Sequence, residues 1–174
     1  TFVRWQLAGD EYAPDNPTAI AATGFLTAGP NTVLEDTFLE EERLRNRYNE
    51  LDDMLSTTGS AFLGLTIGCA RCHDHKYDPL SAREYYRLLA AFHSGDRADV
   101  KLPDGQDTVL AFRDFSQTPA TTWLFERADF YDRDQQVRLG FPSVLLRGRS
   151  ADDYWSDQFP GRDVSTGQRR ALAE

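Results

Sequence analysis

Gly68-Cys69-Ala70-Arg71-Cys72-His73-Asp74-His75-Lys76-Tyr77-Asp78-Pro79 holds both cysteines of a 174-residue chain and two of its three histidines. Two thiols at this spacing, followed at once by an imidazole, form the C-x-x-C-H pattern of c-type haem attachment. The reason is geometric. The sulfurs reach two vinyl groups on one edge of a porphyrin, and His73 then lies beneath the iron as proximal ligand. Other readings stay open. Zinc would use Cys69, Cys72, His73 or His75 and one further ligand, although zinc ribbons bring a second C-x-x-C or a distant histidine pair. A thioredoxin-like redox pair needs a βαβ context, whereas this run follows an apolar, helix-like segment.

A second iron ligand is less determined. His75 stands too close along the chain to reach the opposite face of the same haem. It reads as a hydrogen-bonded loop residue, a group orienting a ligand, or a ligand to a neighbouring haem in an assembly. His93 lies on the following helix and ranks first for a six-coordinate site, against the plainer reading of a histidine favouring the helix C-terminus. Met54, the only methionine, ranks second, against ordinary core filling. A site with His73 alone would leave the iron open to small ligands or peroxide. Asp74 and Asp78 flank the loop and read as ion-pair partners of Arg71, Lys76 or Arg83 before they read as calcium ligands.

Working outward, Leu44, Tyr48, Leu51, Leu55, Thr58 and Phe62 recur at steps of three and four. That is one apolar stripe on a helix over about 36–58, with its charged residues turned to solvent. Thr57-Thr58-Gly59 marks a break. Ala61 to Ile67 is apolar on every side and predicts a buried segment, with Gly68 as a left-handed cap. Ser81-Ala82-Arg83-Glu84 is a capping box opening a helix over 82–93, whose apolar face carries Tyr85, Leu88, Leu89 and Phe92. Upstream, Asp15-Asn16-Pro17 precedes a short helix ending near Gly24.

After Asp96 the texture changes. Lys101 to Gly105 is a turn, and Thr108–Phe112 and Thr121–Arg127 read as strands. A third possible strand ends at Gly140-Phe141-Pro142, and Ser143–Leu146 is a possible fourth. Residues 150–163 read as loop and 165–174 as the start of a helix. The fold expected is mainly α with a smaller β-containing C-terminal part: a helical domain over 1–95 carrying the haem motif, like a cytochrome c or divergent from it, and a β-containing segment over 96–174.

Composition bounds the function. Nineteen basic against 28 acidic residues give a net charge of −9. That disfavours nucleic acid and anionic membrane surfaces, which require a basic face. Lys76 and Lys101 are the only lysines among the basic residues. No apolar run approaches the ~18 residues of a membrane span. Neither a serine-hydrolase elbow nor a phosphate-binding loop is present. The start at Thr1 and the end in a helix-like Ala171-Leu172-Ala173-Glu174 predict a piece of a longer polypeptide.

Several stretches together resemble a known family. They are Gln6-Leu7-Ala8-Gly9-Asp10, Ala21-Ala22-Thr23-Gly24-Phe25, Thr57-Thr58-Gly59 and above all the run from Phe62 to Pro79. They are similar to the large planctomycete-type cytochrome-c-like proteins, which join two domains of unknown function in tandem. Thr121 to Asp129 and Gly140 to Leu145 resemble the start of the second of those domains. The resemblance implies a part of a secreted or periplasmic multidomain protein, with Cys69 and Cys72 as haem anchors and His73 as proximal ligand. His93 and Trp123 depart from the family pattern, Trp123 standing where a histidine is expected. The expectation is a c-type cytochrome domain with one covalent haem, moving electrons outside the cytoplasm to a redox partner that is basic, given this chain's acidity. The alternatives are a peroxidase-like or oxidative haem enzyme with an open distal site, a zinc-stabilised structural or binding module, and a subunit of a haem-bearing oligomer or filament.

Overall fold

The computed structural model describes residues 1–32, 38–105, 107–116, 118–147, 149–150 and 167–173. Along the chain run α1 (Phe2–Tyr12), α2 (Pro17–Ala22), α3 (Glu40–Thr58), α4 (Ala82–His93), β1 (Gly95–Lys101), β2 (Thr108–Asp114), β3 (Thr122–Phe125), β4 (Arg133–Val137) and α5 (Gln168–Ala173). Helices dominate before residue 95 and the strands follow it, so the chain is mainly α with a smaller β-containing part. The strands pair as β1–β2 and β3–β4, both antiparallel. The chain packs as two compact units, Thr1–Ala28 with Ala91–Ala120 and Gly161–Glu174, and Gly29–Ala90 with Thr121–Pro160.

In the first unit α1 packs against α2 and α5. Asn16 caps α2, its side chain accepting from the Thr18 and Ala19 amides at 2.9 and 3.2 Å, with Pro17 in the first turn. Gly9 of α1 lies where a Cβ would collide with the Ala19 backbone carbonyl, so this crossing admits only glycine. The β1–β2 hairpin turns at residues 103–105, where Gly105 takes φ 74°. Thr23, fully buried, ties the hairpin to the helices. Its hydroxyl accepts from the Phe112 amide at 3.1 Å and donates to the Ile20 carbonyl at 2.8 Å. Ile20, Leu102 and Ala111 form a buried cluster with Val100 and Val109 packed on it.

The second unit is built on α3. Tyr48, Leu51, Leu55 and Thr58 of the expected stripe are buried, and Met54 joins them. The helix begins at Glu40, with Glu40, Glu41 and Glu42 in its first turn, where carboxylates favour the helix dipole. Residues 36 and 37 of the expected span lie outside the described ones. Tyr48, Tyr86, Phe125 and Phe130 form an aromatic cluster with ring centroids 4.9–5.8 Å apart. The capping box forms as read: the Glu84 amide donates to Ser81 Oγ at 3.2 Å, and the Ser81 amide donates back to Glu84 at 2.8 Å. Burial opposes ionisation of Glu84, but the donors from Ser143 and Ser81 outweigh it and hold the carboxyl below its ordinary range.

Three expectations are corrected. Ala61–Ile67 is not a buried helical segment. After a single wide turn at Gly59–Leu63 the chain opens out, and of these residues only Ile67 is buried. The left-handed cap is Gly64, at φ 67°, not Gly68, which lies in a tight turn beside Ser56. Ser143–Leu145 is a 3₁₀ turn, not a strand, because the Glu84 carboxylate takes the Ser143 amide at 2.6 Å and leaves it no ladder partner. The expected loop over 151–163 lies outside the described residues, and α5 occupies Gln168–Ala173 of the helix expected at the C-terminus.

Candidate functional site

The cysteine–histidine run sits in the second unit. Ile67–Arg71 makes a 3₁₀ turn containing Cys69, and Cys72 closes it. Neighbouring side chains hold this turn firmly. Arg71 donates to Asp52 at 3.3 Å and to Asn49 at 2.8 Å, both on α3, and its guanidinium lies 5.9 Å from the Phe130 ring centroid. The Arg71 carbonyl accepts from the Tyr86 hydroxyl at 3.1 Å. Asp74 is spent on α4, accepting from the Ala82 amide at 2.8 Å. The turn is therefore pinned at Arg71 and Asp74, on either side of Cys72 and His73.

The chemistry-bearing groups point the other way. Both cysteines are free thiols and exposed, and His73 is exposed too. His73 Nδ1 lies 2.8 Å from the Asp74 carbonyl oxygen. A carbonyl only accepts, so Nδ1 is the donor, and in the neutral ring Nε2 keeps the lone pair. This is the tautomer that a metal-ligating histidine needs, oriented by its own backbone. Around the run, Leu63 and Tyr77 are 48% and 82% exposed. The apolar stretch expected to pack inside thus lies on the surface beside the thiols in sequence. Two reachable thiols, an imidazole with a free Nε2 and uncovered apolar side chains fit a covalently attached porphyrin.

His75 is a different histidine. Its Nδ1 accepts from the Asp78 and Tyr77 amides at 2.8 and 3.3 Å, so its proton is on Nε2, which donates to Thr66 Oγ1 at 3.3 Å. With both nitrogens engaged and the side chain 6% exposed, it pins the loop after the motif. Met54 is buried in α3, where it fills core. His93 stands half-buried in the last turn of α4, in the first unit. Among the described residues no three His, Cys, Asp or Glu side chains come together as a metal-holding group, and no helix is long and apolar enough to cross a membrane. The parallel βαβ unit of a thioredoxin-like redox pair is missing among the described strands.

Sequence reasoning missed the pair that props the site. The Tyr85 hydroxyl, on a fully buried ring, donates to Asp52 at 2.5 Å, and Asp52 in turn receives Arg71. Burial, the Asp52 charge and this bond all push the Tyr85 pKa upward, so the group stays a donor. Tyr85→Phe is expected to cost about 2 kcal/mol in urea unfolding, the usual worth of a hydrogen bond to a charged group.

The fold and the run define a mainly helical chain that presents a C-x-x-C-H motif on a braced turn. The sequence model of PSCyt2, described as a protein of unknown function (DUF1549), matches residues 1–97. The chain belongs to this family. No curated protein and no solved structure matches it.

Proposed function

We propose that this chain is a c-type haem domain, of the planctomycete cytochrome-like kind, that transfers electrons outside the cytoplasm. The observation that carries the reading is the contact of His73 Nδ1 with the Asp74 carbonyl beside two exposed free thiols. Cys69 and Cys72 would tether the porphyrin edge, and His73 Nε2 would hold the iron. When bound, the haem supplies a one-electron couple whose potential follows its ligands and exposure. The residues of the chain set the rest. The Asp74 carbonyl orients the His73 ring through its Nδ1, and Arg71 keeps the turn on α3. Tyr85, Leu88, Leu89 and Phe92 pack in the interior. Leu63 and Tyr77, exposed and near the motif along the chain, are the apolar side chains proposed to meet the porphyrin. His93, on the helix that follows the motif along the chain, is the proposed sixth ligand. A net charge of −9 favours a basic redox partner, with a transfer rate that falls as salt rises.

The test is expression with a cytochrome c maturation system, followed by a haem stain on a denaturing gel. One haem per chain surviving denaturation is expected, and the stain should vanish in Cys69→Ala/Cys72→Ala. A low-spin optical spectrum that turns high-spin in His93→Ala would place His93 on the iron. A high-spin wild type that shifts with cyanide would select the oxidative-enzyme alternative. Colourless protein carrying stoichiometric zinc would overturn the haem reading.

A further inference from the structure

Helix α5 has only six residues, well short of the ~12 that an isolated helix needs in water. It is therefore helical only while it is packed on α1. Gln168, Arg169 and Ala171 are its buried residues. Arg169 anchors it, donating to the two oxygens of Asp10 at 2.9 and 2.8 Å and to the Leu7 carbonyl at 3.1 Å. The same guanidinium lies 5.3 Å from the Phe112 ring centroid. The Tyr12 hydroxyl adds a bond to the Arg170 carbonyl at 3.2 Å. The helix is entered through Gly167 at φ 99°, a conformation that suits glycine and makes this residue the hinge.

This short helix seals two acids. Glu11 of α1 and Asp114 of β2 lie 3.4 and 3.7 Å from Arg169 Nη2 and are 6% and 8% exposed. The Gly167 backbone also holds Glu11. Both covering groups, Gly167 and Arg169, belong to the α5 arm. Its departure would return the two carboxyls to water.

We infer that α5 is a proton-controlled strap, docked on α1 and β2 while Glu11 and Asp114 hold protons and released at the Gly167 hinge when both ionise. Release turns an ordered helix into free chain, an order–disorder switch confined to one element. The sign follows from linkage. Burial outweighs the pull of Arg169 and raises Glu11 to about 7 and Asp114 to about 6 under the docked strap. Freed into water, both acids return to the ordinary carboxyl range and give up their protons. Rising pH therefore favours the open strap. Arg169 draws closer to ionised acids and so weakens this dependence without reversing it. The other charged groups around the cluster are Asp10 and Arg4 of α1, Arg113 of β2, Arg170 of α5, and Arg97 of β1, which stands opposite Phe112. Helix α2 and the turn Thr23–Thr27 bring no charge. The strap is independent of the cysteine–histidine run.

The experiment is hydrogen exchange of the 174-residue chain, read by mass spectrometry at about pH 5 and about pH 8 and corrected for the intrinsic pH dependence of amide exchange. Amides of α5 are compared with those of β2 in the same unit, where the Phe112 amide is held by Thr23. Expected is an α5 opening constant at least about tenfold larger at the upper pH, with β2 better protected than α5 at both. The double variant Glu11→Gln/Asp114→Asn cannot ionise at these positions, so its α5 protection should change less than about threefold over the same range, with circular dichroism checking the fold. The comparison of the parent at two pH values stands without the variant. The inference is overturned if α5 in the parent is equally protected at both pH values, if α5 and β2 exchange together as one unfolding unit, or if the folded double variant keeps the full pH dependence.

Discussion

Arg169→Met should cost roughly 3–5 kcal/mol of folding stability at neutral pH, the usual result of removing one partner from a buried ionic cluster. The substitution roughly keeps the side chain's length but strands Asp10, Glu11 and Asp114 in the interior without their guanidinium. It also unties α5 from the Leu7 carbonyl of α1. Urea unfolding of parent and variant measures the loss. The deficit should shrink in mild acid, because protonated carboxyls do not need the cation. The parent has its own pH dependence. Burial raises Glu11 from 4.5 to about 7 and Asp114 from 3.8 to about 6 in the folded state. For acids whose folded pKa is raised, the native form binds protons more tightly than the unfolded form. Stability is therefore full below the unfolded values and falls as pH rises through about 4–7, by on the order of 3 kcal/mol for Glu11. Melting temperatures near pH 5 should exceed those near pH 8. A parent protein stable to the same degree at both would contradict these assignments.

Gly9→Ala should be nearly as damaging. Helix α1 bends at Ala8, which takes φ −152° and ψ 39°, and brings Gly9 onto the backbone of α2. The obstruction is the Ala19 carbonyl, a main-chain group that no rotamer change can move aside. Either α2 shifts as a body, dragging Ile20 out of its cluster with Leu102 and Ala111, or the crossing opens. The loss should reach the upper end of overpacking costs, about 3 kcal/mol. Urea unfolding reads it directly, and a loss below ~1 kcal/mol would mean the helices separate freely at this point.

What could be read from the chain was short-range. Ser81 and Glu84 cap α4 because a hydroxyl and a carboxylate three residues apart meet at any helix start. The α3 stripe was visible because a 3.6-residue period needs no tertiary information. Ala61–Ile67 was misread because apolar composition does not tell a segment that packs from one left outside. Gly64, not Gly68, takes the left-handed turn because the chain leaves its helix five residues after Gly59, which is set by Ile67 packing back beside Gly59. The Arg169 cluster was invisible for a different reason: its partner Asp10 lies 159 residues away. The one available signal was an adjacent Asp10-Glu11 pair closing an otherwise uncharged stretch, Trp5 to Gly9.

The braced turn at Arg71 has a bearing on biogenesis. Because its ties to Asp52, Asn49 and Tyr86 all come from the polypeptide itself, the scaffold is complete while both sulfurs still face solvent. Under the proposed haem reading, attachment would then follow folding instead of nucleating it. Two exposed thiols are also open to oxidation, so mild reductant belongs in every purification buffer.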